Sequence, residues 1–340
     1  MIKVAVVGVN NIGKIHCRAY LQHPDTALAA VCDLMPERAG AAGREYDVPF
    51  YTDLRELLDK ETVDVVVVAT AGVEKGSHHF QPAMTAIEAG RDVLVEKPIS
   101  NQIEEARQLV AFAREKGIRL ACNLNHRFTP MAYKAKELVT QGKLGSLLFL
   151  NMRLTIQNPQ DETEWLHMRA LHPHSIDVMR YFAGDVKRVQ SFMTKAPGRS
   201  SWSTVSVNME FTSGAVGHLT GSYDMSMRHP IEYCEVAGHE GRLVIDNVYE
   251  QMTYYPHHAN ELTVIRNPLF GGMQGFNDTF GQRINRFIEQ IKAGAAPGDI
   301  EASGADALAA QEVIEAAIRS HQLGGTPVDV PPALVKREGI

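Results

Sequence analysis

The sequence predicts an α/β protein in two parts, a doubly wound parallel sheet at the N-terminus followed by a second α/β domain on a large, mostly antiparallel sheet. Three observations predict this. The first third alternates short β-branched runs with helical patterns, the signature of a parallel sheet covered by helices. After Asn123 the pattern changes to a succession of strand-like runs with few helices between them. At 340 residues the chain also exceeds the size at which one hydrophobic core stops growing. The boundary is expected between residues 123 and 124, giving domains 1–123 and 124–340.

In the first part, Ile2–Val7, Ala27–Cys32, Val63–Thr70, Asp92–Glu96 and Arg119–Asn123 read as strands. Helices are expected at Lys14–Gln22, Met35–Tyr46, Leu54–Lys60, Phe80–Ala89 and Ile103–Lys116. The last two are closed by Gly90 and Gly117, the residue type that suits a left-handed helix stop. One helix, Pro130–Gln141, opens the second part. Strand-like runs follow at Ser146–Ile156, Val186–Thr194, Thr204–Phe211, Ala215–Tyr223, Tyr233–Ala237, Gly241–Asp246, Gln251–Tyr255 and Glu261–Ile265. Two helical stretches, Phe276–Ala293 and Ala302–Leu323, are expected to pack back toward the first domain, and the tail from Thr326 reads as an irregular arm.

Composition narrows the function. A net charge of -6 without a run of like charges gives no electrostatic reason for nucleic acid or an anionic membrane as partner, so a small molecule is favoured. The four cysteines stand apart with no CxxC pair, as small buried hydrophobes do in reducing surroundings. The first strand starts at Ile2, which leaves no room for a signal peptide, and the longest apolar run, Val63–Ala71, is too short to span a bilayer. A cytoplasmic protein is expected.

The opening MIKVAVVGVNNIG runs an apolar strand into a glycine-punctuated turn, and Asp33 closes the second strand about 20 residues after Gly13. This is how a chain holds a dinucleotide. Gly8 makes the tight turn, Gly13 lets the helix Lys14–Gln22 pack on the strand, the amides of that helix's first turn face the pyrophosphate, and Asn11, Ile12 and Gly13 stand as cofactor contacts in the turn before it. Asn10 stands where the fingerprint has its second glycine, and is expected to serve by tolerating positive φ. Asp33 would accept hydrogen bonds from the ribose hydroxyls and repel a 2′-phosphate, with Arg38 one turn on offsetting this only in part, so NAD is expected over NADP.

Two further blocks carry chemistry. Val93–Pro98 is a buried strand ending in Glu96 and Lys97, on the sheet edge that lines a cofactor crevice. Lys97 can donate to a substrate hydroxyl or developing oxyanion, its pKa lowered by a nearby cationic nicotinamide; the same residues also suit a solvated charge pair closing a strand. In the segment from His167 to Asp177, His167, His172 and His174 stand with Asp177 within a few residues, and His174 and Asp177 share a helix face. A histidine is the natural acceptor of a hydroxyl proton during hydride transfer, and these rings could equally satisfy hydrogen bonds at a helix start. Zinc is the third reading, but the spacing matches no usual ligand pattern and no metal is expected.

Taken together, GVNNIGKIHCRAY, CDLMPERA, VVVVATAG with His78 and His79 beyond it, AGRDVLVEKPIS, NHRF-TP at 125–130 and HSIDVMRYFAGD at 174–185 resemble the glucose-fructose oxidoreductase/inositol dehydrogenase/MocA family over nearly the whole chain. The resemblance implies a Rossmann domain joined to an α/β domain whose open sheet forms the interface of a homodimer or homotetramer and walls the sugar pocket. It implies that Lys97 and His174 serve the reaction. It adds Thr70, Ala71, His79, Glu96 and Lys97 as cofactor contacts. Asn125, Arg127, Arg153, Trp165, Arg169, His172 and His174, with Lys97, stand for the substrate wall, and Arg228 and His229 lie on similar segments. One departure stands out. Where the family element reads DxGxHxxD, this chain has Ala170 for the first aspartate and His172 for the glycine.

The expectation is an NAD-dependent dehydrogenase acting on a secondary hydroxyl of a sugar, glycoside or inositol. Two other functions use the same residues: redox-neutral sugar chemistry, in which bound NAD oxidises the substrate transiently, and a noncatalytic sugar or nucleotide sensor.

Overall fold

A computed structural model describes residues 1–70 and 78–334. The chain divides into two compact units, Met1–Leu124 with Phe276–Leu308, and Asn125–Gly275 with the chain from Ala309 on. Phe276–Leu308 therefore belongs with the first unit, and a single cut after residue 123 does not describe the division.

The first unit is the parallel sheet. Its strands are β1 (Ile2–Val7), β2 (Thr26–Cys32), β3 (Phe50–Tyr51), β4 (Val65–Val68), β5 (Asp92–Val95) and β6 (Leu120–Cys122). They lie in the order β3-β2-β1-β4-β5-β6, every pair parallel. This is the doubly wound order that reverses beside β1. Val4–Val7 and Val65–Val68 are buried on both sheet faces, which is why these strands read as unbroken apolar runs. The connecting helices are α1 (Asn11–Gln22), α2 (Pro36–Tyr46), α3 (Leu54–Lys60), α4 (Phe80–Glu88) and α5 (Ile103–Lys116). The two-residue β3 gave no sequence signal. Gly43 and Phe50 account for it, because the Phe50 ring lies against the α2 backbone where any Cβ at residue 43 would collide at 2.7 Å.

In the second unit α6 (Pro130–Thr140) and α7 (Leu166–Ala183) cover one face of a nine-stranded sheet. Its strands are β7 (Leu147–Thr155), β8 (Val186–Thr194), β9 (Thr204–Phe211), β10 (Val216–Ser222), β11 (Glu232–Gly238), β12 (Gly241–Asp246), β13 (Gln251–Pro256), β14 (Thr263–Arg266) and β15 (Val328–Asp329). They lie in the order β14-β13-β12-β11-β7-β10-β9-β8-β15, antiparallel except for the β7–β10 pair. The expected irregular tail is in part a strand: β15 pairs with β8, and Arg188 bonds Asp329 at its edge.

Two helices complete the chain. From α8 (Asp278–Lys292), Ile284, Phe287 and Ile288 enter the first unit's core beside Val4, Cys17 and Tyr20, and the buried Arg283 donates to the Cys122 carbonyl. From α9 (Gly304–Gln322), Ala310, Val313, Ile314 and Ala317 enter the second unit's core. On the sheet's other face Phe149, Phe192 and Val216, which share a side through the β7, β8 and β10 registers, stay exposed. Among the described residues, no helix is long and apolar enough to cross a membrane.

Candidate active site

In the first unit the functional surface is mostly backbone. Gly8 has φ +87°, and a Cβ there would meet the Ala69 carbonyl oxygen at 2.6 Å; a Cβ at Gly13 would meet the Gly8 oxygen at 1.8 Å. Only glycine closes this turn. Asn10 then caps α1 in extended conformation, φ -82°, so the expected positive φ falls on Gly8 and Asn10 has no strain to tolerate. The helix starts at Asn11 rather than Lys14, which places Asn11, Ile12 and Gly13 in its first turn. No acidic side chain occupies that turn, so its amides and the positive end of the helix dipole remain suited to an anion.

Asp33 is buried and ties the turn to the end of β2. Its Oδ2 accepts from the Val9 amide and its Oδ1 from the Met35 amide, both at 3.0 Å. Each oxygen keeps a further lone pair for a ribose hydroxyl. Arg38 is exposed on the first turn of α2. A Gly8 cradle that a Cβ would fill, an unopposed helix terminus and a placed carboxylate are what a dinucleotide's pyrophosphate and ribose require.

Glu96 and His79, also expected at the cofactor, are tied to neighbouring strand ends. Glu96 is buried, and its Oε1 lies 2.7 Å from His16 Nε2 and 2.6 Å from Asn123 Nδ2, while Oε2 receives the Lys97 amide at 3.3 Å. Burial pushes its pKa up, but the His16 contact, the charge of Lys97 and the Asn123 bond outweigh it and hold the carboxyl below its ordinary value. His79 is also buried, with Nδ1 at 2.8 Å from the Pro98 carbonyl and Nε2 at 3.3 Å from the Thr70 carbonyl. Burial lowers its pKa, and the neutral ring joins the ends of β4 and β5. Thr70 donates to the His78 carbonyl, Lys97 is half-buried before a cis bond to Pro98, and Ala71 lies outside the described residues. His16 and Asn123 were not anticipated, although His16, one helical turn after Gly13, carried a signal in its spacing.

In the second unit the chemistry is carried by side chains from distant segments. A 3₁₀ turn at Asn125–Phe128 lies against α7. His126 stacks on His174, ring centres 4.2 Å apart and planes 18° from parallel. Arg127 meets Asp177 with both forks, Nε to Oδ2 at 2.6 Å and a second bond from the other nitrogen to Oδ1. Both are 1% exposed, and the Arg127 guanidinium lies over the Tyr181 ring at 5.1 Å. The three-residue step from His174 to Asp177 on one helix face is what lets adjacent residues of the turn engage both. From β11, Glu232 Oε2 approaches His126 Nδ1 at 2.6 Å.

Several residues expected at the substrate wall are already partnered. Arg127 neutralises Asp177, and Arg169 forms a two-pronged pair with Glu315 at 2.8 Å. His172 is fully buried, with Nε2 3.0 Å from His167 Nε2 and Nδ1 3.1 Å from Ser175 Oγ. Burial lowers its pKa to about 3 and holds that of His167 well below the ordinary histidine value, so both rings are neutral and one donates to the other. The helix runs unbroken from Leu166 through Pro173 and so draws these polar side chains into the core. Trp165 stacks on Trp202, and Arg153 lies on an exposed sheet face over Tyr233. Asn125 is buried in the 3₁₀ turn, and Arg228 and His229 are exposed between β10 and β11. Among the described residues no group of three His, Cys, Asp or Glu side chains is placed to hold a metal.

Residues 2–124 match the oxidoreductase family with an NAD-binding Rossmann fold, and residues 133–244 match the GFO/IDH/MocA C-terminal domain. The chain belongs to this family. It is an NAD-binding oxidoreductase, and the turn and Asp33 suit that cofactor. A myo-inositol 2-dehydrogenase of Thermotoga maritima is 25% identical over 311 residues, 87% of this chain and 90% of that protein. A scyllo-inositol 2-dehydrogenase (NAD(+)) of Bacillus subtilis is 24% identical over 317 residues, 89% and 90% of the two chains. Among solved structures, a levoglucosan dehydrogenase in complex with NADH and levoglucosan superposes with a TM-score of 0.86 at 22% identity, over 97% of this chain and 99% of that one. This likeness shows the shared fold.

Proposed function

We propose that this protein oxidises a secondary hydroxyl of a sugar, glycoside or inositol with NAD as acceptor. His174 carries the reading: a histidine held face to face with a second ring, on the helix that also carries the Arg127–Asp177 lock. NAD, when bound, accepts the hydride from the carbinol carbon. The O–H proton passes to His174, Lys97 donates to the same oxygen, and the C–O bond becomes a carbonyl. Asp33 orients the ribose and disfavours a 2′-phosphate, so NADP is the poorer cofactor. Relatives named as inositol dehydrogenases and a fold neighbour holding levoglucosan support the polyhydroxylated substrate.

The test is reduced nicotinamide formation with inositols, aldoses, uronates and glycosides, with products identified by mass spectrometry. One NADH per carbonyl product is expected. Product without NADH would overturn net oxidation in favour of transient oxidation, and binding without turnover would leave a sensor. The same reading has the chain working as a homodimer or homotetramer through the open sheet face, where Phe149, Phe192 and Val216 offer apolar surface. Sedimentation at a monomer mass would overturn that part.

A further inference from the structure

The stacked rings of His126 and His174 and the Glu232 carboxylate come from three elements of the second unit, and each is more than nine-tenths buried. Two imidazoles 4.2 Å apart in such surroundings resist carrying two charges, whereas a carboxylate 2.6 Å from one of them favours the first. Among the described residues, the surrounding elements carry the ion pairs of Arg127 with Asp177, Arg180 with Asp185 and Glu235 with Arg242, together with Arg153 of β7 and Asp246 of β12 on the strands flanking β11. Lys136 of α6 is bonded to the Tyr181 carbonyl. Among the described contacts, Glu232 is the carboxylate within hydrogen-bonding distance of the stacked pair.

We propose that His126, anchored by Glu232, is a positioning residue for His174, and that the three groups hold one proton as a unit at neutral pH. The proposal rests on the reading of His174 as acceptor of the hydroxyl proton and says what prepares it. With the shared proton on His126 against Glu232, the His174 ring is neutral and its plane is set by the stack. When the substrate O–H bond breaks and an N–H bond forms on His174, the unit passes from no net charge to one positive charge rather than two, because Glu232 already offsets the charge on His126. Ala170 stands where the family element has its first aspartate, and Glu232 brings a carboxylate to the stacked rings from β11 instead.

The experiment is a pH titration of histidine ring resonances in the full-length protein, which needs no turnover. His126 and His174 should titrate together in two separated steps. Glu232→Gln, which keeps the shape and removes the charge, should lower the upper step by about one pH unit or more. His126→Phe, which keeps a flat ring against His174, should leave His174 a single step. In turnover His126→Ala should lose about tenfold or more in kcat with KM for NAD unchanged, and His126→Phe should recover part of it. Independent titration of the two rings, with His174 unmoved by Glu232→Gln, overturns the proposal. Coupled titration in a protein that oxidises no alcohol would overturn the functional reading and leave the proton-sharing unit standing.

Discussion

The cofactor turn and the His174 cluster are built by opposite means. Around Gly8 the work is done by backbone: a glycine that nothing larger can replace, the amides of α1, and one carboxylate that binds two further amides. Around His174 it is done by side chains from residues 126–127, 174–177 and 232, each fixed by another side chain. A backbone site tolerates most side-chain changes and fails where the main chain can no longer turn. A side-chain site fails wherever one partner of a buried pair is removed, because the other is left charged in a dry place.

That contrast can be broken most forcefully at Arg127. Arg127→Ala removes the guanidinium that neutralises the buried Asp177 and should cost about 3–5 kcal/mol, read as a lower denaturation midpoint. Asn10→Ala, in the turn, should move the midpoint very little, since the Asn10 side chain makes no capping bond. Equal losses in the two variants would erase the distinction.

Chemistry is the next place to press. His174→Ala and Lys97→Ala should each reduce turnover by about 10² or more while NAD affinity, measured by calorimetry, stays near that of the parent. Retained activity in either variant removes that residue from the mechanism. In the turn, Asp33→Ala should weaken NAD binding by about tenfold and relax discrimination against NADP. Unchanged selectivity would mean that another group reads the ribose.

The smallest effect sharpens the picture of the brace behind Lys97. Glu96 has a folded-state pKa below its unfolded one, so its contribution to stability is present above the unfolded carboxylate value, about 4.3, and is lost as pH falls through the folded value. Glu96→Gln should flatten the stability curve on the acid side, seen in denaturation midpoints across that range. An unchanged slope would show that the carboxylate is not held by His16 and Asn123.

Much of the parallel sheet could be read from the chain because its strands are buried on both faces and separated by helices of ordinary length. The Gly8 turn and Asp33 were legible for a related reason: backbone geometry at a strand–helix junction depends on residues close in sequence. By the same locality, sequence determined the family, the NAD-binding domain and the helix face shared by His174 and Asp177. Tertiary structure alone decided which polar residues were already spoken for. Arg127, Arg169, His172, His79 and Glu96 look like ligand contacts one at a time, and each proves to be held by a partner 9 to 146 residues away or, for His172, by neighbours on its own helix. It also decided that Phe276–Leu308 returns to the first unit, and that Glu232 stands behind His126. Such pairings obey distance in space and the cost of an unpaired buried charge, and neither leaves a period or a spacing in the chain.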